Sequence, residues 1–545
     1  MKLPVSAPDS AAAVRLWKQI LIKAHQKGFL TASVDSVKWA TDTVRVHLHL
    51  GQMFQWASLR RGNASDDLLR ETGFRERTYR NRPLRHAEVA KLEEAILRHA
   101  DEHGYPFATV RLDSLEMKED GVSEALDFRK GVRSVFDTAR LEVTSRLRRR
   151  FLENWLRLQP DQLYSQSRLD QADAMLRQQP YLVVSQPYKV VFKNDRAYVT
   201  FQADAGRASE ADGIVGFQPN EQTAGRLLLT GELNLRLRNL FASGGSFAFS
   251  WQQIRRGSPR LNVAFSQPAF LGTPLEVNAS FQLLREDTAL RVQNGFLVLN
   301  QQAAVHYNLD GYHKIGVGID RRTSRLADST VRLPPNSLTP QQTNTAWLSY
   351  RTLYQFNRLD NFFYPRRGWQ MHATAAIGNK QVLNAEQIDI GGRSVSRSSP
   401  QFSYQATVRR FVPLGRRATL LAQFTGGQIF NESLFQNDLF RLGGLNSLRG
   451  FNENFFFASD YVTATLEYRF FWEPTSYLFA FYDQAWLQAR ILQSRRVDVP
   501  SGVGAGVSFA TRAGVFNVVY ALGNSRERAL GLNFSKIHFG LVSRF

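Results

Sequence analysis

The chain has no cysteine in 545 residues. That excludes a disulfide framework, a thiolate metal site and a cysteine nucleophile, and it suits an oxidising periplasm. No stretch of about 20 apolar residues occurs, so no transmembrane helix is expected. The start, Met1-Lys2-Leu3-Pro4, lacks the apolar core of a secretory signal. Export is required by the reading below, so the numbering is expected to begin near a mature N-terminus. Enzyme signatures are missing as well: there is no Gly-x-Ser-x-Gly elbow, no His-Glu-x-x-His pair and no phosphate loop. The ten histidines read as forming no ligand-spaced cluster. The expectation is no enzyme, no catalytic residue, no metal and no cofactor.

Charge is in excess, at +21. Residues 1–207 hold 34 Lys+Arg against 26 Asp+Glu, and residues 208–545 hold 35 against 22. The excess is therefore spread along the chain rather than gathered into a nucleic-acid footprint. The one dense cluster, Arg146 with Arg148, Arg149 and Arg150, opens a helical stretch and reads as a solvated or phospholipid-facing patch. No nucleic-acid partner is expected; basic rims suit anionic lipid headgroups.

The last three hundred or so residues alternate. Leu275, Val277, Ala279, Phe281 and Leu283 interleave with Glu276, Asn278, Ser280 and Gln282. Val462, Ala464, Leu466, Tyr468 and Phe470 interleave with Thr463, Thr465, Glu467 and Arg469. Leu229, Gly231, Leu233, Leu235 and Leu237 do the same with Thr230, Glu232, Asn234 and Arg236. Period two puts one set on each face of a strand. A soluble sandwich would bury the apolar face against a second sheet. These segments run about 10–13 residues, longer than most soluble strands, and continue in one series to the terminal Phe545. Lipid outside and a wet lumen inside fit better.

Sixteen such segments lie between residues 212 and 545, the first over about 212–217 and the last over 531–545. An even number closes both ends of the sheet on one side. Connections alternate between short, as at Asn308-Leu309-Asp310-Gly311 and Val412-Pro413-Leu414-Gly415, and long, near 322–341, 379–399 and 430–459. Short periplasmic turns and long outer loops are the outer-membrane rule.

Before residue 207 the period changes. Ala11 to Gly28 reads as a helix with Val14, Trp17, Ile20, Leu21 and Ala24 on one side, ended by Gly28-Phe29 and followed by two strands. The theme returns with His86 to Gly104, ended by Gly104-Tyr105, and more loosely with Arg146–Leu158 and Gln166–Gln178. Recurrence at this spacing means an array of small α+β modules.

The longest barrel loop carries Leu448-Arg449-Gly450-Phe451, within a glycine-rich stretch that permits close backbone approach. An arginine tucked into the lumen needs carboxylates, because an unpaired charge there is costly. Glu467 on strand twelve and Asp483 on strand thirteen are placed for its fork.

With these residues the chain resembles the BamA/TamA superfamily of outer-membrane assembly factors. That family carries an Arg-Gly-Phe/Tyr motif on its sixth outer loop, which folds into the lumen and meets acidic residues on the next strands. The strand-thirteen pattern Phe-x-Asp-x-Gly is met by Phe481, Asp483 and, in departure, Ala485. The departure puts close packing there in doubt, but not the acidic role of Asp483. The helix and strand repeats resemble POTRA domains: 54–131 and 132–207 as complete modules, and 1–53 as a partial one. The resemblance implies α+β POTRA-like modules in the periplasm, then an all-β, sixteen-stranded transmembrane barrel over 208–545. Three repeats make the architecture look TamA-like. The resemblance also implies a lateral seam between first and last strands, marked by Ile214, Gly216 and Gly540; the glycines equally suit barrel curvature. Phe545 would serve as the C-terminal assembly signal.

The implied function is assembly and insertion of proteins into the bacterial outer membrane. Its partners would be unfolded outer-membrane protein clients, outer-membrane lipids and periplasmic or lipoprotein accessory subunits. The rival within the superfamily is a two-partner secretion transporter that moves a polypeptide through the lumen, with residues 10–27 as its plug helix. A passive porin would need neither the modules nor the loop motif.

Overall fold

The computed structural model describes residues 9–545, except 42, 119–120, 144–148, 185, 207, 220–226, 254–257, 287–294, 327–342, 384–388, 391–392, 493, 512–513, 532–534 and 545. It forms two compact units. One is Met1–Arg140 with Leu158–Asp170 and Lys189–Thr200; the other is Leu141–Arg157, Gln171–Tyr188 and Phe201–Phe545. The division runs through residues 132–207, the third expected module, rather than beside it.

In the first unit, helix α1 (Ser10–Gln26) is capped by the Asp9 carboxylate, which accepts from the Ala12 amide. The sequence "stop" at its end is a Schellman motif. Gly28 sits at φ 95°, its amide bonds the His25 carbonyl, and the Phe29 amide reaches back to Ala24. Helix α3 (His86–Glu102) ends the same way, with Gly104 at φ 86° bonding Asp101 and Tyr105 bonding Ala100. Each glycine also joins its module to the next. The Gly28 carbonyl accepts from the Phe54 amide and the Gly104 carbonyl from the Ser134 amide, both at 2.8 Å.

The second module runs strand Trp56–Arg60, helix α2 (Asp66–Glu71), α3, strand Thr109–Lys118, strand Gly121–Arg129. The last strand is central, parallel to the first and antiparallel to the second. Val89, Leu92, Ile96 and Ala100 line one stripe of α3 and are buried. Of these, Val89, Leu92 and Ile96 close on Trp56, Leu59, Val122 and Leu126. Sequence periodicity missed α2, which has too few turns to show a period; Ser65, whose side chain accepts from Leu68, followed by Asp66-Asp67, was its start signal. The third module repeats the order with Val135–Val143, α4 (Arg149–Leu156), α5 (Gln166–Arg177), Lys189–Lys193 and Arg196–Ala205.

The barrel of the second unit closes through seventeen strand segments. Two of them, Ser494–Asp498 and Ser501–Ala510, pair with opposite ends of Ser476–Ile491. They are one stave broken at Val499-Pro500, where proline lacks the ladder donor. Sixteen antiparallel staves result, as the sequence pattern implies. Outward residues are apolar and exposed: Val462, Leu466, Tyr468 and Phe470 on stave twelve (Asp460–Glu473), Leu478, Tyr482 and Trp486 on stave thirteen (Ser476–Ile491). Their inward neighbours Thr463, Thr465, Glu467 and Asp483 are buried.

Staves one and sixteen differ from expectation. Stave one spans Glu210–Pro219, not about six residues, and stave sixteen spans Lys536–Arg544, not about fifteen. The first is extended by Glu210 and Ala211 at one end and by Gln218 and Pro219 at the other, which the alternation did not single out. The last begins later.

Candidate functional site

The loop between stave eleven (Ala418–Phe430) and stave twelve folds into a ribbon, with Phe440–Leu442 paired to Phe456–Ala458. Its turn carries Leu448-Arg449-Gly450-Phe451. Leu448 and Phe451 are fully buried, packed with Tyr461, Ala485 and Leu487 on the inner wall. Arg449 enters the wall beside them and meets both carboxylates named from the sequence. Its Nε donates to Asp483 Oδ2 and its Nη2 to Asp483 Oδ1, each at 2.8 Å, and its main-chain amide reaches Oδ2 at 3.2 Å. Its Nη1 donates to Glu467 Oε2. The guanidinium also lies 3.4 Å from the centroid of the Phe481 ring, a cation–π contact in a desolvated setting.

Both carboxylates have further donors. Thr465 Oγ1 donates to Asp483 Oδ1 at 2.8 Å, and Arg469 Nε to Glu467 Oε1 at 2.8 Å. A buried charge network is tolerable when every lone pair and proton is used, and this one comes close to that. Glycine decides the approach. A Cβ on Gly502 would stand 2.2 Å from the Arg449 carbonyl oxygen; one on Gly523 would stand 2.7 Å from that of Gly450. Gly450 itself has φ 91°. The close packing that Ala485 left in doubt is thus supplied by glycines on the two following staves, and Ala485 is itself buried.

A second latch holds the base of the same loop, and sequence reading missed it. Lys380, on stave nine (Gly368–Val382), is buried and donates to Asp438 Oδ2 in the loop. Asp438 also accepts from the Phe435 amide at 3.0 Å and from Thr345 Oγ1 at 3.3 Å. Arg322 Nη2 donates to the Asn437 carbonyl at 2.8 Å, and Asn437 Nδ2 donates to Ser324 Oγ and the Thr343 carbonyl, each at 2.8 Å. A lone lysine on a strand face was the available signal, but its partner lies 58 residues away.

The seam residues are placed by backbone alone. Staves one and sixteen pair at Glu210 with Arg544 and Ala211 with Ser543, the two register positions among their described residues. Stave one pairs with stave two at ten positions, and stave fifteen with stave sixteen at seven. The same register carried three residues further would set Ile214 opposite Gly540, but the ladder ends before them. Gly216 is likewise beyond it. Phe545, Arg146 and Arg148 lie outside the described residues, as do the side chains of Arg149 and Arg150.

In the first unit, Glu102 at the end of α3 receives Ser165 Oγ, the Ser167 amide at 3.1 Å and Ser167 Oγ at 2.7 Å. These donors surround the start of α5. Burial acts to raise the Glu102 pKa, but the Ser165 and Ser167 hydrogen bonds and the Arg168 charge outweigh it and hold the carboxyl below its usual range. One sequence expectation needs correction. His99 on α3 and His103, the residue that caps it, are four apart, and Glu71 of α2 faces them. The histidines do include a ligand-spaced pair, and His-x-x-x-His was its legible signal.

Strand–helix–helix–strand–strand modules, a sixteen-stave barrel and an outer loop pinned to its inner wall by an arginine fork define a class: outer-membrane barrels that carry POTRA-like modules. The Omp85 superfamily domain matches residues 239–545, and the chain belongs to that superfamily. No curated protein matches it. Among solved structures, CdiB from Escherichia coli is similar at TM-score 0.57 and 13% identity over 100% of both chains. CdiB from Acinetobacter baumannii is similar at 0.56 and 11%, over 99% of this chain and 100% of that one. BamA from Haemophilus ducreyi lacking POTRA domains 1–3 reaches 0.44 and 14%, over 90% and 100%. At such identities the likeness to CdiB is one of fold.

Proposed function

We propose that this protein assembles and inserts other proteins into the bacterial outer membrane, without covalent chemistry, through the seam between staves one and sixteen. The two-position ladder at that seam carries the reading. A strand edge left unpaired is a template for another strand. Each ladder bond contributes about 1 kcal/mol net, so parting two positions costs far less than parting the ten on the other side of stave one. A client strand from an unfolded barrel precursor pairs with the opened edge and leaves sideways into lipid.

The modules stand in the periplasm in this reading and offer edges of their own. Thr109–Lys118 is an outer strand of its sheet, with Leu115 and Met117 exposed. Its bulge between Asp113 and Glu116 leaves Thr109–Asp113 as the regular length for an added strand. Helix α1 fits a module better than a plug: it belongs to the first unit, and its terminal glycine is bonded to Phe54.

Cysteines at Ala211 and Ser543 test the seam, since the chain has none of its own. In proteoliposomes offered an unfolded barrel precursor, the oxidised pair should stop insertion and reduction should restore it. If the locked protein inserts at the unlocked rate, lateral opening is wrong. Passage through the lumen, the secretion reading, then stands. Depletion in cells separates the two again: loss of many barrels supports assembly, and loss of one secreted protein supports secretion.

A further inference from the structure

In the first unit, three side chains of the second module converge: Glu71 at the end of α2, and His99 and His103 around the end of α3. One ligand atom from each lies within 4.8 Å of the others. The convergence follows from the fold. Residues four apart share a helix face, so the two imidazoles lie side by side with centroids 4.0 Å apart. Glu71 Oε2 stands 3.2 Å from His99 Nδ1.

His103 shows what such a group can accept. Its Nδ1 is 2.7 Å from the His99 carbonyl oxygen. A carbonyl only accepts, so Nδ1 carries the hydrogen, and the neutral ring keeps its lone pair on Nε2. A backbone carbonyl that fixes the tautomer of an imidazole is the usual outer partner of a metal-bound histidine. A Glu71–His99 pair alone would be an ordinary surface contact. It would leave His103, with its oriented ring, without a role.

We infer that Glu71, His99 and His103 form a binding site for a divalent transition-metal ion of the zinc class. Two imidazoles and one carboxylate suit zinc, nickel or copper, whereas calcium and magnesium take oxygen shells. Three protein ligands leave a fourth tetrahedral position for water, and the exposure of Glu71 and His103 admits it. The ion ties α2 to the end of α3. His103 lies between Glu102, which holds the start of α5, and Gly104, whose carbonyl takes the Ser134 amide. The site therefore sits at the joint between the second and third modules.

The test uses the full chain without a polyhistidine tag, stripped with chelator in detergent micelles and titrated with Zn²⁺ by calorimetry. One saturable equivalent is expected. His103→Asn, at an exposed position, should weaken it at least about tenfold, and Glu71→Gln should also weaken it. His47 and His49, exposed and two apart on one strand, are the control: their double Asn variant should leave the equivalent intact. X-ray absorption of the zinc form should show two imidazole nitrogens and oxygen at about 2.0–2.2 Å. No saturable equivalent, one that survives His103→Asn, one that vanishes with His47 and His49, or an all-oxygen shell overturns the assignment.

Discussion

Removing the Arg449 side chain tests how the long loop is held. In Arg449→Ala, Asp483 loses both guanidinium donors and keeps Thr465 Oγ1 and the main-chain amide of residue 449. Its side chain is 2% exposed in the native structure, and it would be left with no cation. Glu467 loses one donor but retains Arg469 at 2.8 Å. Breaking a buried pair from one side costs about 3–5 kcal/mol. One carboxylate stranded and one still paired puts the expectation at the lower end, ~3 kcal/mol. That is a shift of about 150-fold in the ratio of closed to released loop, at 1.4 kcal/mol per tenfold.

Limited proteolysis reads this ratio directly when reclosing outpaces cleavage. With a protease that does not require arginine, cutting between residues 431 and 459 should rise by about two orders of magnitude. Arg449→Lys should fall between, because an ammonium keeps the charge but not the fork. Adding Asp483→Asn to Arg449→Ala should recover much of the protection, since the stranded charge is gone. If Arg449→Ala is cut at the native rate, or the Asn change brings no recovery, the ion cluster does not pin the loop and the argument fails.

Lys380→Met should free the base of the loop, raising cleavage near Asp438, and Asp438→Asn in the same chain should reverse part of the effect; cleavage-site mapping checks both. Gly502→Ala should push the loop tip off the wall, because its Cβ would meet the Arg449 carbonyl at 2.2 Å; overpacking of this kind costs about 1–3 kcal/mol and would show as the same protease sensitivity with the ion cluster chemically intact. Glu102 has its carboxyl held below the usual range, so its contribution is complete above the unfolded-state pKa, near 4.3, and is lost as pH falls through the lower folded value. The protection factor of the Ser167 amide, its exchange measured against the intrinsic rate at the same pH, should therefore fall with acid in the native chain, and Glu102→Gln should already be less protected at neutral pH and change less with acid.

The parts of this molecule set by local chemistry were open to reading. Gly28-Phe29 and Gly104-Tyr105 mark helix ends because only glycine takes the required positive φ cheaply. The alternation from Val462 to Phe470 marks a stave because the membrane demands one face of each kind. Arg449, Glu467 and Asp483 were legible together because a buried fork leaves few choices of partner in the two staves that follow. Lys380 and Asp438 were not, since neither belongs to a local pattern and only closure of the barrel brings them together. Trp56–Arg60 and Val135–Val143 were absorbed into the modules without being resolved, because a first strand paired to a distant third leaves no hairpin signal.

The seam shows the same division, and it changes the physical argument. A first stave of about six residues would limit the ladder by its length; the staves are ten and nine residues long, enough for a full ladder. Among the described residues the register stops at Ala211 with Ser543, so the ladder is short although the staves are not. The two latches sit away from it. The loop base is held by Arg322, Ser324, Thr345 and Lys380, on staves seven, eight and nine. Its tip presses on Glu467, Asp483, Gly502 and Gly523, on staves twelve to fifteen. The loop is therefore pinned to the inner wall at two places, and among the described residues neither pin includes a residue of stave one or stave sixteen. In the proposed opening, parting the two ladder positions among the described residues costs about 2 kcal/mol and leaves both latches in place. A barrel whose loop was pinned across its first and last staves would have to break both at once. On the proposed function, the arginine cluster and the short ladder are consistent parts of one design, a wall stiffened where it would hold and left thin where it would open.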